Sequence, residues 1–335
     1  MPTPIQPPLV DGVLYIDNSS MELFTTCPRQ AYYYIIRKLE LNRDRVALDF
    51  GGAFHTVLEK LYKTYGTAYR SAADNQAIID FAASAITHKP TPEEEQFREA
   101  AHKRGELLPP VLCTPEDDYR TVSYLVDGVR KYLNQYPAEA FEIAKLPDGS
   151  PAVEMPFAMP IGTIETTLWG KVAVMWTGKI DMAYRSRGEL GIFDHKTTSM
   201  MGPGFFSEFE IAHQMYGYAA AVEYILHEPV KAITINGLGC RKPTRTGTQF
   251  EFNRHTIPVN TDLLNEWHED SLALVSDFLS HCERGYFPKA TKWCVAKYGS
   301  CQYRAICSLS PQHRELALST SEFKKVTWSP LAAKP

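Results

Sequence analysis

An acidic strand pair is the first feature of this sequence with the residue types for chemistry. Residues 176–182 and 190–198 predict a β-hairpin joined by a tight Ser-Arg-Gly turn. Alternation along the second strand puts Asp194 and Lys196 on one face, and Asp181 lies near the same end of the first strand. Buried ions are costly unless they are paired or bind a metal, and convergent carboxylates suit Mg²⁺ or Mn²⁺. Lys196 would then orient water or stabilise charge that develops on a phosphate.

Two polar pairs at helical spacing lie on either side of this hairpin. His55 follows a Gly-Gly pair at the start of a predicted helix and shares a helix face with Glu59. Gln214 and Tyr218 have the same spacing on the helix that follows the hairpin. Each pair also has an ordinary structural interpretation. The histidine would be a surface or core residue with Glu59 paired to Lys63, and the second pair a hydrogen bond in the core.

The cysteines are unevenly placed. There are seven of them, an odd number, and the N-terminal sequence lacks the features of a secretion signal, which argues against a disulfide framework. Cys27 lies near the start, whereas Cys294, Cys301 and Cys307 crowd the end. A cluster of this kind in a reducing compartment indicates ligation of a soft metal, with free cysteines in the core as the alternative.

The composition limits the class of protein but does not identify its function. The chain has 335 residues, of which 44% are hydrophobic and 22% charged, as in globular proteins of one large or two small domains. The formal net charge of −4 excludes a protein that coats nucleic acid through bulk positive charge. No apolar run reaches the ~20 residues of a membrane helix. We therefore expect a cytoplasmic protein with no membrane partner.

The elements that must position these residues follow an α/β or α+β order. Helical patterns come first, then a strand meander, a helix, two more strands and a last helix, which predicts one central mixed sheet flanked by helices. The predicted helices cover 19–36, 53–65, 72–87, 93–104, 116–135, 208–226 and 262–283, and the predicted strands cover 151–158, 163–170, 174–185, 189–196, 231–239 and 248–256.

Together these pieces resemble the RecB-like branch of the PD-(D/E)xK nuclease superfamily. Five motifs occur in the family's order: Gly52-x-x-His55-x-x-Leu58-Glu59, the strand acid Glu154, Gly178-x-x-Asp181, Asp194-x-Lys196-Thr197 and Gln214-x-x-x-Tyr218. The resemblance implies a restriction-endonuclease-like core in a single nuclease domain over residues 19–308. That domain would contain a helical insertion at 67–136, between an extended segment at 1–18 and a tail at 309–335.

The resemblance also implies a metal centre. In that family the motif histidine and two strand carboxylates bind the catalytic metal, which here are His55, Asp181 and Asp194. The backbone carbonyl of His195 is implied as a further ligand. The implied metal is Mg²⁺ or Mn²⁺.

The remaining motif residues are implied to act on the substrate. By the resemblance, Lys196 assists the attacking water, and Gln214 and Tyr218 shape the site and help hold the DNA backbone. Glu154 matches the family's isolated strand acid, although no second motif residue accompanies it.

The cysteines also match a subgroup of this family. The segment around Cys27 resembles the first cysteine segment of its iron–sulfur members, which include AddB-type nuclease domains, CRISPR-associated adaptation nucleases and phage exonucleases. Cys294, Cys301 and Cys307 follow the nuclease core as the other three cysteines do, although the first interval is longer than usual. The resemblance implies a [4Fe-4S] cluster in a module made of residue 27 and residues 294–307, and structural Zn²⁺ is the alternative.

Basic and aromatic residues near the cysteines are candidates for DNA contacts. We expect Arg29, Tyr33, Lys292 and Arg304 to contact DNA that is single-stranded or has free ends, although solvated charges and core tyrosines would look the same. No Gly-x4-Gly-Lys-Ser/Thr loop occurs, so a helicase or recombinase would be a separate partner, as would a single-strand-binding protein.

The resemblance therefore predicts a metal-dependent exonuclease that hydrolyses phosphodiester bonds at DNA ends in recombination, repair or replication. The size and the lone nuclease core suggest a phage or mobile-element enzyme, which would act in the host cytoplasm. Three alternatives stay open at this point: a CRISPR-adaptation nuclease, a non-catalytic iron–sulfur protein that binds DNA ends, and a zinc-stapled protein with no DNA role.

Overall fold

The computed structural model describes residues 3–245, 247–296 and 299–326. Its helices are α1 (Asn18–Thr26), α2 (Pro28–Ala31), α3 (Val46–Tyr65), α4 (Ala72–Ala83), α5 (Pro92–Lys103), α6 (Val122–Gln135), α7 (His213–Leu226), α8 (Thr261–Glu283), α9 (Arg304–Ser308) and α10 (Pro311–Leu318). A π-helix covers Tyr32–Ile36, and single 3₁₀ turns cover Ser207–Phe209 and Thr291–Cys294. None of the described helices is both long and apolar enough to cross a membrane.

The strands are β1 (Val13–Ile16), β2 (Leu39–Leu41), β3 (Glu142–Ile143), β4 (Val153–Thr166), β5 (Gly170–Ser186), β6 (Glu189–Thr198), β7 (Val230–Thr244), β8 (Gly247–Pro258), β9 (Val295–Ala296), β10 (Gly299–Ser300) and β11 (Phe323–Lys325). The two predicted strands at 151–158 and 163–170 fall largely in the single long strand β4, in which exposed residues alternate with buried ones from Met155 to Ile161.

The described chain divides into two compact units, each built from separate segments. The sheet unit contains residues 45–155 and 179–261, and the terminal unit contains residues 3–44, 156–178 and 262–326. The sequence predicted one domain over 19–308, whereas β4 and β5 each contribute residues to both units.

A mixed β-sheet forms the centre of the sheet unit. The second half of β5 pairs antiparallel with β6, β6 pairs parallel with β7, and β7 pairs antiparallel with β8. A parallel pair needs a crossover connection, and α7 provides it between β6 and β7. The predicted central mixed sheet with flanking helices is confirmed.

Apolar side chains from the helices and the sheet form the main core of the sheet unit. Helix α3 contributes Phe54, Leu58 and Tyr62 at helical spacing, and they join Leu125 of α6 and Phe193 of β6 in one buried cluster. Helices α4, α5 and α6 occupy the predicted insertion at 67–136. The predicted helix at 116–135 begins at residue 122, because the Thr121 side chain caps it.

The terminal unit contains smaller elements. Strand β1 pairs parallel with the first half of β5, β2 pairs antiparallel with β11, and β9 and β10 form a short hairpin. The predicted helix at 19–36 is interrupted at Cys27, because Pro28 lacks the N–H that a continuing helix needs and starts α2 instead.

The two terminal segments contain more structure than the sequence predicted. The segment expected to be extended at 1–18 includes β1 and the start of α1. The segment expected as a tail at 309–335 contains α10 and β11. Its last residues, 327–335, lie outside the described part of the chain.

Candidate metal and catalytic site

Three side chains of the sheet unit meet in a group that can hold a metal ion. His55 of α3, Glu154 of β4 and Asp181 of β5 each offer one ligand atom, and these atoms lie within 4.8 Å of one another. Both carboxylates are buried, and the imidazole is partly exposed. The arrangement joins three of the motifs that the sequence singled out.

The Glu154 backbone is in an unusual conformation. Its φ angle is 52°, in the left-handed region that residues other than glycine rarely adopt. Such a conformation costs on the order of 1–3 kcal/mol and persists only where the surroundings enforce it. The Glu154 carboxylate forms an ion pair with the Lys179 ammonium group. Burial raises the pKa of Glu154 to about 7, although Lys179 opposes that rise.

Asp181 is held through both of its carboxylate oxygens. Its Oδ1 lies 3.5 Å from His55 Nδ1, and its Oδ2 accepts the backbone N–H of His195 at 2.7 Å. Burial alone would raise the pKa of Asp181, but the charge and the hydrogen bond of His55 outweigh it and hold that pKa below its usual range. Asp181 is therefore ionised and stays available to a cation.

Asp194 and Lys196 form an ion pair on β6. Lys196 Nζ lies 2.6 Å from Asp194 Oδ2, and the Asp194 side chain is almost fully buried. Burial raises the pKa of Asp194, which Lys196 counteracts. Among the described residues, Asp194 does not belong to the group formed by His55, Glu154 and Asp181. Its carboxylate holds the lysine, and its role as a metal ligand stays a prediction.

His195 points its ring into a buried polar network. Asn236 Nδ2 donates to His195 Nδ1 at 2.8 Å, and the ring stacks on Tyr62 with 5.9 Å between the centroids. Burial lowers the pKa of His195 to about 3, so the ring is neutral. Arg254 and Glu139 continue the network behind it. The role of the His195 carbonyl as a ligand stays a prediction.

The two polar residues of α7 are hydrogen-bonded to each other. Gln214 Nε2 donates to the Tyr218 hydroxyl at 2.9 Å. Burial raises the pKa of Tyr218, and the negative charges of Asp194 and Asp181 raise it further. Tyr218 is therefore an electrostatic neighbour of both carboxylates.

Sequence reasoning missed one charged residue of this cluster. Lys179 occupies a variable position of the Gly178-x-x-Asp181 motif, so the motif gave no reason to select it. The signal that could have found it is its position two residues before Asp181, which alternation puts on the same face of the strand. Glu59, which sequence reasoning paired with Lys63, has that partner at 2.8 Å.

The four selected cysteines all lie in the terminal unit. None is in a disulfide. Burial raises the pKa of the Cys301 thiol, and Cys307, Cys27 and Cys294 each raise it further, so the four are electrostatic neighbours. The Cys27 sulfur also accepts the backbone N–H of Ala290 at 3.4 Å. Within the described residues, no three of the cysteine sulfurs lie within 4.8 Å of one another.

The candidate DNA contacts differ in accessibility. Tyr33 is 2% exposed and packs on Tyr303, so the prediction that it contacts DNA is wrong, because its ring offers no face to a base. Arg304 is exposed and lines a cavity of about 530 Å³. Lys292 is also exposed. Arg29 donates from Nε to the Phe287 carbonyl at 2.6 Å, which ties it to the terminal unit.

Comparisons with known proteins give one family and several weak structural likenesses. A family model described as the PD-(D/E)XK nuclease superfamily matches residues 18–308. An inferred exonuclease from Eubacterium rectale is 14% identical, with a TM-score of 0.39 over 88% of this chain and 94% of that one. An alkaline exonuclease from Laribacter hongkongensis is 8% identical, with a TM-score of 0.24 over 62% and 88%. No curated protein matches.

Proposed function

Because the chain belongs to the PD-(D/E)XK nuclease superfamily, we propose that it is a metal-dependent deoxyribonuclease that hydrolyses phosphodiester bonds at DNA ends. The observation that carries the proposal is the group of His55, Glu154 and Asp181, whose ligand atoms lie within 4.8 Å. The family's lysine, Lys196, stands on β6 with its ammonium group against Asp194.

The residues of this group fit a divalent ion of the Mg²⁺ or Mn²⁺ class. Two carboxylates and one imidazole are ligand types that Mn²⁺ accepts, and Mg²⁺ uses one or two carboxylates and keeps several waters. The carboxylates of Glu154 and Asp181 are buried, and buried negative charge is costly unless cations compensate it. A divalent ion bound here would supply that compensation, stabilise charge on the phosphodiester and lower the pKa of water.

Lys196 is the residue of this chain best placed to act on the phosphodiester. Its side chain is 23% exposed, so the ammonium group can donate hydrogen bonds to a phosphate oxygen while Asp194 holds it from the buried side. Charge develops on that oxygen during hydrolysis, and a fixed ammonium group stabilises it without reorganisation.

Gln214 and Tyr218 are proposed to orient the DNA backbone. Burial raises the pKa of Tyr218, so its hydroxyl stays protonated, and Gln214 Nε2 already donates to it. The Tyr218 hydroxyl accepts this hydrogen bond and also carries a proton of its own.

The terminal unit is proposed to carry the [4Fe-4S] cluster of the RecB-like branch on Cys27, Cys294, Cys301 and Cys307. Tetrahedral zinc with bonds of about 2.3 Å would bring its sulfurs to roughly 3.8 Å from one another. Four thiolates can hold either group, and the resemblance of the cysteine segments to those of the iron–sulfur members favours the cluster. Iron, sulfide and zinc contents of anaerobically purified protein distinguish the two.

The proposed substrate is DNA with free or single-stranded ends. A separate helicase, recombinase or single-strand-binding protein would present these ends during recombination, repair or replication. A phage or mobile element is the proposed source. These steps rest on the motif resemblance to the iron–sulfur exonuclease branch.

The test is release of nucleotides from end-labelled linear DNA with Mg²⁺ or Mn²⁺, beside closed circular DNA of the same sequence. We expect the wild type to degrade the linear DNA and leave the circular DNA intact. Lys196→Ala should release nucleotides at least ~100-fold more slowly. Lys171→Ala is the matched control, because Lys171 is an exposed lysine on β5 paired with Glu165. Cleavage of circular DNA would refute end dependence. Equal rates for wild type and Lys196→Ala would refute the assigned site.

A further inference from the structure

We infer that the ammonium group of Lys179 takes the place of a second divalent ion, so that this centre binds a single ion. The inference rests on the proposed metal-dependent function and adds the number of ions to it. It concerns which positive charges satisfy the buried carboxylates of the sheet unit.

Lys179 shares a carboxylate with the proposed ion. Its Nζ pairs with Oε2 of Glu154, and Glu154 also belongs to the group with His55 and Asp181. The Glu154 side chain is 4% exposed, so water cannot take over the role of the lysine. A second ion that used Oε2 of Glu154 would have to displace this ammonium group.

The position of Lys179 is fixed by this ion pair. Its side chain is 21% exposed, and its ammonium group lies against the buried carboxylate of Glu154. A cation is therefore already built into the cluster beside Glu154.

The charge balance of the cluster fits one divalent ion. The carboxylates are Glu59, Glu154, Asp181 and Asp194, and the ammonium groups that face them are Lys63, Lys179 and Lys196. In a metal-bound site the carboxylates are ionised and the histidines neutral, so four negative and three positive charges leave one negative charge. One divalent ion would change this net charge from −1 to +1. Two ions about 3.5–4 Å apart would change it to +3, which leaves three uncompensated positive charges in a buried site.

Counting bound Mn²⁺ tests the inference without measuring cleavage. Full-length protein is titrated with Mn²⁺ at pH 8 by calorimetry, and its electron paramagnetic resonance spectrum is recorded. We expect the wild type to bind one ion with the six-line spectrum of isolated Mn²⁺. Lys179→Gln should bind two ions with a spin-coupled spectrum, and its first ion should bind at least ~10-fold more tightly, because a repelling charge is gone.

Two further variants make the result specific. Lys63→Gln removes a lysine of similar exposure, 25% against 21%, from the neighbouring carboxylate Glu59, and we expect it to keep one ion. Lys179→Arg keeps the charge and should also bind one ion. That result would attribute the second ion in Lys179→Gln to the lost charge and not to a folding defect.

The outcomes separate this inference from the proposed function. Two ions in the wild type, or one ion of unchanged affinity in Lys179→Gln, would overturn the role of Lys179 while leaving a metal centre in place. A second ion in Lys63→Gln as well would overturn it, because the loss of any lysine near the carboxylates would then create a second metal site. A wild type that binds no Mn²⁺ would remove the proposed metal-dependent function itself.

Discussion

Asp181 is hydrogen-bonded to the backbone of the motif that follows it in the chain. Its Oδ2 accepts the N–H of His195 at 2.7 Å, which ties a carboxylate of β5 to the middle residue of the Asp-x-Lys motif on β6. The strand pairing beside it aligns Met182 with Phe193. The hairpin therefore fixes the distance between the Gly-x-x-Asp and Asp-x-Lys motifs.

We predict that Asp181→Asn weakens Mn²⁺ binding by at least ~100-fold, which calorimetry measures directly. Asparagine keeps an oxygen that can accept the N–H of His195, so the hairpin is retained while the charge is lost. Changes one contact away from a metal already cost 10- to 100-fold in other sites, and a direct ligand should cost at least that. Asp270→Asn, on the exposed side of α8, is the control. An unchanged affinity would remove Asp181 from the ligand set.

The close approach of α3 to β6 gives a second prediction. A Cβ atom on Gly51 would lie 2.7 Å from the Thr197 hydroxyl, which directly follows Lys196. We expect Gly51→Ala to shift Thr197 and lower the cleavage rate by about 10- to 100-fold, since a misplacement of ~1 Å can cost that much. A Cβ on Gly202 meets no atom within 4 Å, so Gly202→Ala should leave the rate unchanged. Wild-type cleavage by Gly51→Ala would show that the strand does not need this close contact.

Asn236 should be important for stability. It is fully buried, donates to His195 Nδ1 and to the Tyr132 hydroxyl, and accepts from Arg254 Nε at 3.2 Å. Asn236→Ala leaves those partners unpaired, so we expect urea unfolding to show a loss of about 2–4 kcal/mol. Asn253→Ala, an exposed asparagine on the neighbouring strand, should change the free energy of unfolding by less than ~0.5 kcal/mol. Equal losses in both variants would contradict a special role for Asn236.

The cysteine set predicts a linked loss of iron and stability. Cys301→Ser removes one proposed cluster ligand, so the iron content should fall and the midpoint of thermal unfolding should drop by at least ~5 °C. Cys113→Ser changes a cysteine outside the proposed ligand set, so it should keep both the iron content and the midpoint of thermal unfolding. Full iron content in Cys301→Ser would exclude Cys301 as a ligand, and zinc in place of iron in the wild type would exclude the cluster.

Much of the fold and part of the site could be predicted from the sequence. The period-two pattern of residues 176–198 located the β5–β6 hairpin, and motif order predicted the superfamily, which the family match confirms. Those signals depend on local spacing. The branch with the iron–sulfur cluster and the roles of the site residues stay predictions.

What could not be predicted depends on contacts between distant segments. Lys179 is defined by its pairing with Glu154, which lies on another strand, and the exclusion of Tyr33 depends on a core formed with Tyr303. The division of the chain into two units likewise depends on which distant segments the residues of the long strands β4 and β5 contact.

Strand β6 lies inside the sheet, paired with β5 on one side and β7 on the other. Edge strands and termini fray, whereas an inner strand opens only when much of the domain opens with it. The amide protons of Asp194, His195 and Lys196 should thus be among the slowest in the chain to exchange with deuterium. In such an enzyme the position of Lys196 is lost in one step, at global unfolding. It does not change gradually as the temperature rises.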